Sequence, residues 1–221
     1  MKKGNKFYSL LVVMVLMGVS ALAQNTWLGP SGTTSNPTTG SWATAANWSL
    51  GTVPVSGDAV VINPASAITI SSVPAQTIAS LTIGGNNKVT LSGGTNTLTI
   101  NGVLAINGGS TLDVSTMILA GITSTSTNST GKLRTASTSG ALMPVNVIWN
   151  FDVELYASAN SWLQGGTYSN VIISNTNTTQ LGQDVTVNGN FTLGGKFDCR
   201  IRLLTVVGLS LIHISEPTRP Y

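Results

Sequence analysis

Short runs in which apolar residues alternate with threonine recur along this chain, and they restrict its fold more than any other feature. The clearest are Leu81-Thr82-Ile83, Val89-Thr90-Leu91 and Leu98-Thr99-Ile100. A period of two places the aliphatic side chains on one face of a β-strand and threonine on the other. Pairs of glycine and asparagine separate the runs and suit the positive φ angles of tight corners. The chain is therefore predicted to be all-β.

The spacing of the runs indicates how the strands stack. Such short strands cannot each bury a face alone, but they can if the chain coils and each strand lies on the one a turn earlier. The step from Leu81 to Leu104 is 23 residues and covers three strands, which suits one coil of a parallel β-helix.

We predict a right-handed parallel β-helix (β-solenoid) over residues 58–208. An antiparallel immunoglobulin-like sandwich is the alternative, although its strands are longer. Runs of the same kind continue to the end of this region: Leu104-Ala105-Ile106, Leu112-Asp113-Val114, Val171-Ile172-Ile173, Val185-Thr186-Val187, Phe191-Thr192-Leu193 and Leu204-Thr205-Val206.

Three tryptophans lie close together ahead of the predicted coils. Trp27, Trp42 and Trp48 fall within residues 24–57, among glycine, proline and threonine. A solenoid needs a cover over its first coil, and aromatic side chains supply a large apolar area for one. We interpret residues 24–57 as an aromatic N-terminal cap. A platform on which carbohydrates stack is the alternative reading of the same cluster.

The first 23 residues have the three parts of a secretory signal peptide. Three lysines precede an apolar run over residues 7–19, and the small residues Ala21 and Ala23 stand just before Gln24. The apolar run is too short to span a bilayer comfortably. We therefore expect a secreted or outer-surface protein that has no membrane span after cleavage.

Charge and reactive side chains bear on the classes of partner and reaction. Residues 24–208 carry six acidic and six basic side chains, so the net charge of +3 arises from the two ends of the chain. This balance argues against a nucleic-acid partner. The single histidine, His213, lies outside this region, and the single cysteine, Cys199, has no histidine near it. We predict no catalytic, cofactor-binding or metal-binding residues.

One pair of acids is a candidate catalytic pair, because parallel β-helices include polysaccharide-processing enzymes. Asp152 and Glu154 are two residues apart and would project from the same face of a strand. Paired carboxylates serve glycosidases when they are held at a fixed separation. We favour a solvated outward face between the inward Phe151, Val153 and Leu155. Arg200 and Arg202 make a similar pair, interpreted as an outward edge.

Two stretches resemble known sequences. The segment from Gly40 to Trp48 resembles the opening of secreted β-helical and autotransporter-like proteins. Residues 130–135 and 165–174 are similar to repeats of adhesin-like surface proteins of type IX-secreting gram-negative bacteria. Together with the cap, the resemblance covers most of residues 27–208. It implies a long extracellular protein, often ending in a sorting domain. We expect a structural, adhesin-like segment without catalysis, with cell-surface glycans or the surfaces of host or neighbouring cells as partners. The alternative is a polysaccharide-binding or polysaccharide-processing β-helix whose active coils lie beyond residue 208.

The end of the chain resembles something else. The string from Leu209 to Arg219 resembles a translated sequencing adaptor, so we expect residues 209–221 to be a non-native tail and the natural protein to continue beyond Gly208. A solenoid truncated there would leave its last coil open. Because an uncovered strand edge is a template for pairing, we expect self-association through that end.

Overall fold

The computed structural model describes residues 23–33, 37–127, 130–136, 138, 143–208 and the backbone of 210–212. These residues form 22 strands and one short 3-10 helix, Ala45–Asn47. The strands are β1 (Ala23–Thr26), β2 (Gly40–Ser41), β3 (Asp58–Ile62), β4 (Ile68–Ser71), β5 (Gln76–Ile78), β6 (Ser80–Ile83), β7 (Lys88–Leu91), β8 (Thr97–Ile100), β9 (Val103–Ile106), β10 (Thr111–Asp113), β11 (Ile118–Ala120), β12 (Ser124–Thr125), β13 (Lys132–Thr135), β14 (Val147–Leu155), β15 (Ser161–Leu163), β16 (Gly166–Ile173), β17 (Thr178–Leu181), β18 (Val185–Val187), β19 (Phe191–Leu193), β20 (Lys196–Asp198), β21 (Leu204–Val206) and β22 (Ser210–Ile212).

Strands from successive turns of the chain stack into four parallel sheets. Sheet A has the order β1-β3-β6-β9-β12, and sheet B is the long sheet β2-β4-β7-β10-β13-β14-β16-β18-β21, to which β19 and β22 also belong. Sheet C is β5-β8-β11, and sheet D is β15-β17-β20. The sheets build a β-solenoid of about seven turns, as the alternating runs predicted.

The register of sheet A confirms the length of one coil. Leu81 in β6 pairs with Leu104 in β9, so the 23-residue step predicted from the sequence is the observed one. The predicted faces are also confirmed. Thr82, Thr90 and Thr99 are half-buried on the outer surface. The inward positions have no exposed surface, and they include Leu81, Ile83, Leu91, Leu98, Ile100 and Ile106.

A tight corner shows why glycine separates the strands. Gly85 follows β6 with a φ of +79°, a conformation that glycine adopts without strain. A Cβ atom there would overlap the carbonyl oxygen of Pro64 in the preceding coil. Asn87 then donates from Nδ2 to the same oxygen over 3.0 Å. The corner therefore needs a residue without a side chain in order to stack on the corner below.

The second half of the solenoid departs from the expected pattern of short strands. β14 spans nine residues and β16 eight. The end of β14 pairs with β13 of sheet B, while Thr125 of β12 in sheet A donates from Oγ1 to the Ile148 carbonyl (2.7 Å) near its start. One long strand thus takes the place of two, with an irregularity between Trp149 and Asp152 where the chain passes from one sheet to the other.

The three clustered tryptophans are buried at the N-terminal end of the stack. The rings of Trp27 and Trp42 each meet the Trp48 ring edge-on, at 4.9 and 4.7 Å between centroids. Each indole N–H has an acceptor: the Thr38 carbonyl for Trp27, the Trp42 carbonyl for Trp48 and the Gln76 side-chain oxygen for Trp42. Because each of the three residues is at most 2% exposed, none offers a ring face to a sugar, and all three belong to the apolar core.

Parts of two predictions lie outside the described residues. These are residues 1–22 of the expected signal peptide, and residues 209 and 213–221 of the expected tail. Ala23 begins β1 and pairs with Asp58. The segment Ser210–Ile212 forms β22, parallel to β19. Within the described part of the chain, no helix is long and apolar enough to cross a membrane.

Candidate functional site

Charged side chains from four coils converge on the outer surface of sheet B. Asp113, Arg134 and Glu154 occupy the same position in three neighbouring strands, because Asp113 pairs with Arg134 and Arg134 with Glu154. Two residues away, a second column contains Lys88 and Lys132, each paired in register with Thr111. We call the group of Lys88, Asp113, Lys132, Arg134, Glu154 and Tyr156 the charged ladder.

Asp113 is the most enclosed member of the charged ladder. Its side chain is 3% exposed, although it points outward from the sheet. It accepts hydrogen bonds from Lys88 Nζ (2.8 Å), Arg134 Nη1 (3.3 Å), Tyr156 Oη (2.6 Å) and the Ser115 backbone N–H (3.0 Å). Burial alone would raise the pKa of this carboxyl group, but these donors outweigh it and hold the pKa below its usual value. Asp113 is therefore kept as a carboxylate.

Glu154 is held in the same way by residues of the coils on both sides. Arg134 binds it through two nitrogens, Nε to Oε2 at 3.0 Å and Nη2 to Oε1 at 3.3 Å. Lys132 Nζ lies 3.3 Å from Oε2, and Ser174 Oγ donates to Oε1 over 2.9 Å. Burial would raise the pKa of Glu154, but the hydrogen bonds from Arg134 and Ser174 lower it overall.

The remaining contacts enclose the guanidinium group of Arg134. Its central carbon lies 4.3 Å from the centroid of the Tyr156 ring, and the two carboxylates face its nitrogens. Burial would lower the pKa of Arg134, but Glu154 and Asp113 raise it above its usual value. Burial and the hydrogen bond to Asp113 raise the pKa of Tyr156. The directions of these shifts therefore keep Asp113 and Glu154 ionised, Arg134 charged and Tyr156 neutral near neutral pH.

The two acids that the sequence places on one face of a strand, Asp152 and Glu154, do not share a binding partner. Asp152 and Glu154 both point outward from β14, between the buried Phe151, Val153 and Leu155, as expected. Their partners differ, since Asp152 accepts a hydrogen bond from Asn170 Nδ2 at 2.7 Å whereas Glu154 binds Arg134. The Glu154 side chain is only 12% exposed, so the face is less solvated than we expected. The acid of a glycosidase needs a raised pKa, and that of Glu154 is lowered.

Sequence reasoning missed that Arg134 pairs with both Asp113 and Glu154, because the three residues lie far apart along the chain. The signal that could have found them is the coil length, since a step of one coil leads from Asp113 to Arg134 and another from Arg134 to Glu154. Opposite charges that recur at the coil spacing predict a column of ion pairs.

The other side chains considered from the sequence are dispersed. Cys199 and Arg202 are exposed, and Arg200 lies 4.8 Å over the ring of Trp162 in sheet D. Among the described residues, no group of three or more His, Cys, Asp and Glu could hold a metal ion.

Comparison with known proteins adds no relative. No family model matches the chain. No curated protein and no solved structure matches it either.

Proposed function

We propose that the chain is an exported, non-enzymatic β-solenoid that serves as a structural, adhesin-like segment of a larger surface protein. The observation that carries this proposal is the charged ladder. Its two carboxylates are 3% and 12% exposed, and both accept hydrogen bonds from donors that favour the ionised form. A general acid or base needs a pKa near the working pH, and these contacts move both carboxyl groups away from it.

The same contacts suit a load-bearing role. The charged ladder connects β7, β10, β13 and β14, which are successive strands of sheet B, through side chains as well as through backbone hydrogen bonds. Networks of charges resist local opening better than isolated surface pairs. A stalk-like segment would gain from such cross-links, because each coil contacts only its neighbours.

Two measurements test the proposal. Expressed with residues 1–23 in a gram-negative host, the chain should reach the periplasm and begin at Gln24 by N-terminal sequencing. Incubation with acidic and neutral polysaccharides should yield no new reducing ends and no unsaturated sugars. Cytoplasmic retention with Met1 intact would contradict export, and cleavage abolished by Glu154→Gln would contradict the non-enzymatic role.

The alternative is a polysaccharide-binding or polysaccharide-processing β-helix. The half-buried indole of Trp162, on the outer face of sheet D, favours the binding form of this alternative. Binding of a polysaccharide is also compatible with an adhesin-like segment, because an adhesin has to attach to the surface of a cell.

A further inference from the structure

Trp162 is placed unlike the other tryptophans of the chain. Of the five, Trp27, Trp42, Trp48 and Trp149 are buried. Trp162 lies between the inward Ser161 and Leu163 of β15, so its indole projects from the outer face of sheet D. The sheet does not need an aromatic ring at such a position. In sheet C one outward column consists of small side chains: Thr77, Thr99 and Ala120.

Planar polar groups continue the column that Trp162 begins. Trp162 pairs in register with Gln180, and Gln180 with Asp198. Gln180 donates from Nε2 to Asp198 Oδ2 over 3.4 Å, a long hydrogen bond that leaves both groups open to other partners. Since neighbouring strands lie about 4.8 Å apart, the column from Trp162 to Asp198 is about 10 Å long.

Arg200 adds a cation that is only loosely held. Its guanidinium carbon lies 4.8 Å from the centroid of the Trp162 ring. Its ion pair with Asp198 is 4.0 Å long, and the two side chains are 49% and 47% exposed. The residue has a φ of +52°, in the left-handed region, and its backbone N–H donates to Asp198 Oδ1 (2.9 Å). The turn thus directs Arg200 back over the column, where its long ion pair and its exposure let the guanidinium group turn to a ligand.

Each of these groups matches a part of an acidic sugar. The C–H face of a pyranose packs against an aromatic ring, and amide or carboxylate side chains hydrogen-bond its hydroxyl groups. The guanidinium fork matches a carboxylate in shape and charge. We propose that Trp162, Gln180, Asp198 and Arg200 bind polysaccharides that contain hexuronate residues. The inference rests on the proposed function and deepens it, because it names the chemistry of the surface to which the segment attaches.

The test compares two polymers that differ only in their carboxyl groups. The exported chain is passed over immobilised polygalacturonate and over the same polymer after reduction of its carboxyl groups, and binding is followed by biolayer interferometry. We expect binding to polygalacturonate that is clearly weaker on the reduced polymer. Trp162→Ala and Arg200→Asn should each lower the affinity at least about tenfold, the loss expected when one such contact is removed. Asparagine is chosen because it tolerates the left-handed backbone.

Matched variants separate binding from folding. Arg202→Ala removes an exposed charge two residues from Arg200 and should leave the affinity unchanged. Trp162→Tyr should retain much of the binding, whereas Trp162→Leu should lose it even where its thermal unfolding matches the wild type. If Arg202→Ala lost as much affinity as Arg200→Asn, or if Trp162→Leu bound with full affinity, the proposed site would be wrong. Absence of binding would also overturn it, but export and lack of cleavage would still support the proposed function.

Discussion

Arg134 holds together two carboxylates that come from different coils. One lies on the strand before it and one on the strand after it, and the guanidinium group contacts both at 3.0–3.3 Å. A lysine could not replace these contacts, because its single nitrogen lacks the planar fork that reaches Glu154 through two atoms. The stability of the charged ladder therefore depends on this residue more than on Lys88 or Lys132, whose side chains are more exposed.

Replacing Arg134 tests this dependence. Arg134→Met keeps the aliphatic stem but leaves Asp113 and Glu154 without their shared cation. We expect the free energy of unfolding to fall by about 2–4 kcal/mol, since removing one partner leaves enclosed charges uncompensated. Urea denaturation followed by circular dichroism measures the loss. Arg202→Ala, at an exposed position, should change it by less than about 0.5 kcal/mol. Similar losses for the two variants would show that the charged ladder contributes no more to the free energy of unfolding than an exposed surface charge does.

The lowered pKa values of Asp113 and Glu154 predict sensitivity to acid. Both carboxyl groups bind protons more weakly when folded than when unfolded, where their pKa values are about 3.9 and 4.3. Their contribution to stability is therefore complete above about pH 5 and is lost as the pH falls through the folded-state values. The slope of unfolding free energy against pH below about pH 4 should be smaller in the double variant Asp113→Asn/Glu154→Gln. An unchanged slope would contradict this assignment.

At the level of elements, alternation determined which face of each strand points inward. Leu, Ile and Val at every second position produced the buried face of β6 to β9, and this could be predicted because the pattern is local. The length of β14 could not. Its continuity depends on contacts with β12 and β13, which belong to an earlier coil, and no local feature of residues 147–155 indicates that two sheets meet there.

The register of β8 gives a direct comparison of the two faces. Ile100 is fully buried, while the neighbouring Thr99 is half-buried on the outside. Ile100→Ala should lower the free energy of unfolding by about 2–5 kcal/mol, because it removes buried atoms and leaves a cavity. Thr99→Ala should cost less than about 0.5 kcal/mol. If chemical denaturation gave the same cost for both variants, the assignment of the two faces would be wrong.

At the scale of the whole molecule, one apolar core runs the length of the stack. It extends from the tryptophans of the cap to Phe191 in β19, and side chains from every coil contribute to it. Because each coil contacts only its neighbours, the coils at the two ends have a neighbour on one side only, and the way they are covered affects the stability of the stack more than the ends of a globular domain do. The sequence indicated that the three tryptophans lie together, because they are close along the chain. It did not indicate their mutual packing, which depends on an isolated antiparallel bridge between Trp27 and Trp48.

Removing the central indole of the cap should therefore affect association as well as stability. Trp48 packs edge-on against both Trp27 and Trp42, and Trp48→Ala leaves those rings without their common neighbour. We expect a loss of about 3–5 kcal/mol in unfolding free energy. We also expect a rise in self-association by light scattering, since a loosened cap uncovers strand edges.

Trp162→Ala is the matched control, because it removes an indole of the same size from the outer face of sheet D. It should cost less than about 1 kcal/mol and leave the oligomeric state unchanged. A Trp48→Ala protein that matches this control in both measurements would show that the three tryptophans do not close the end of the solenoid.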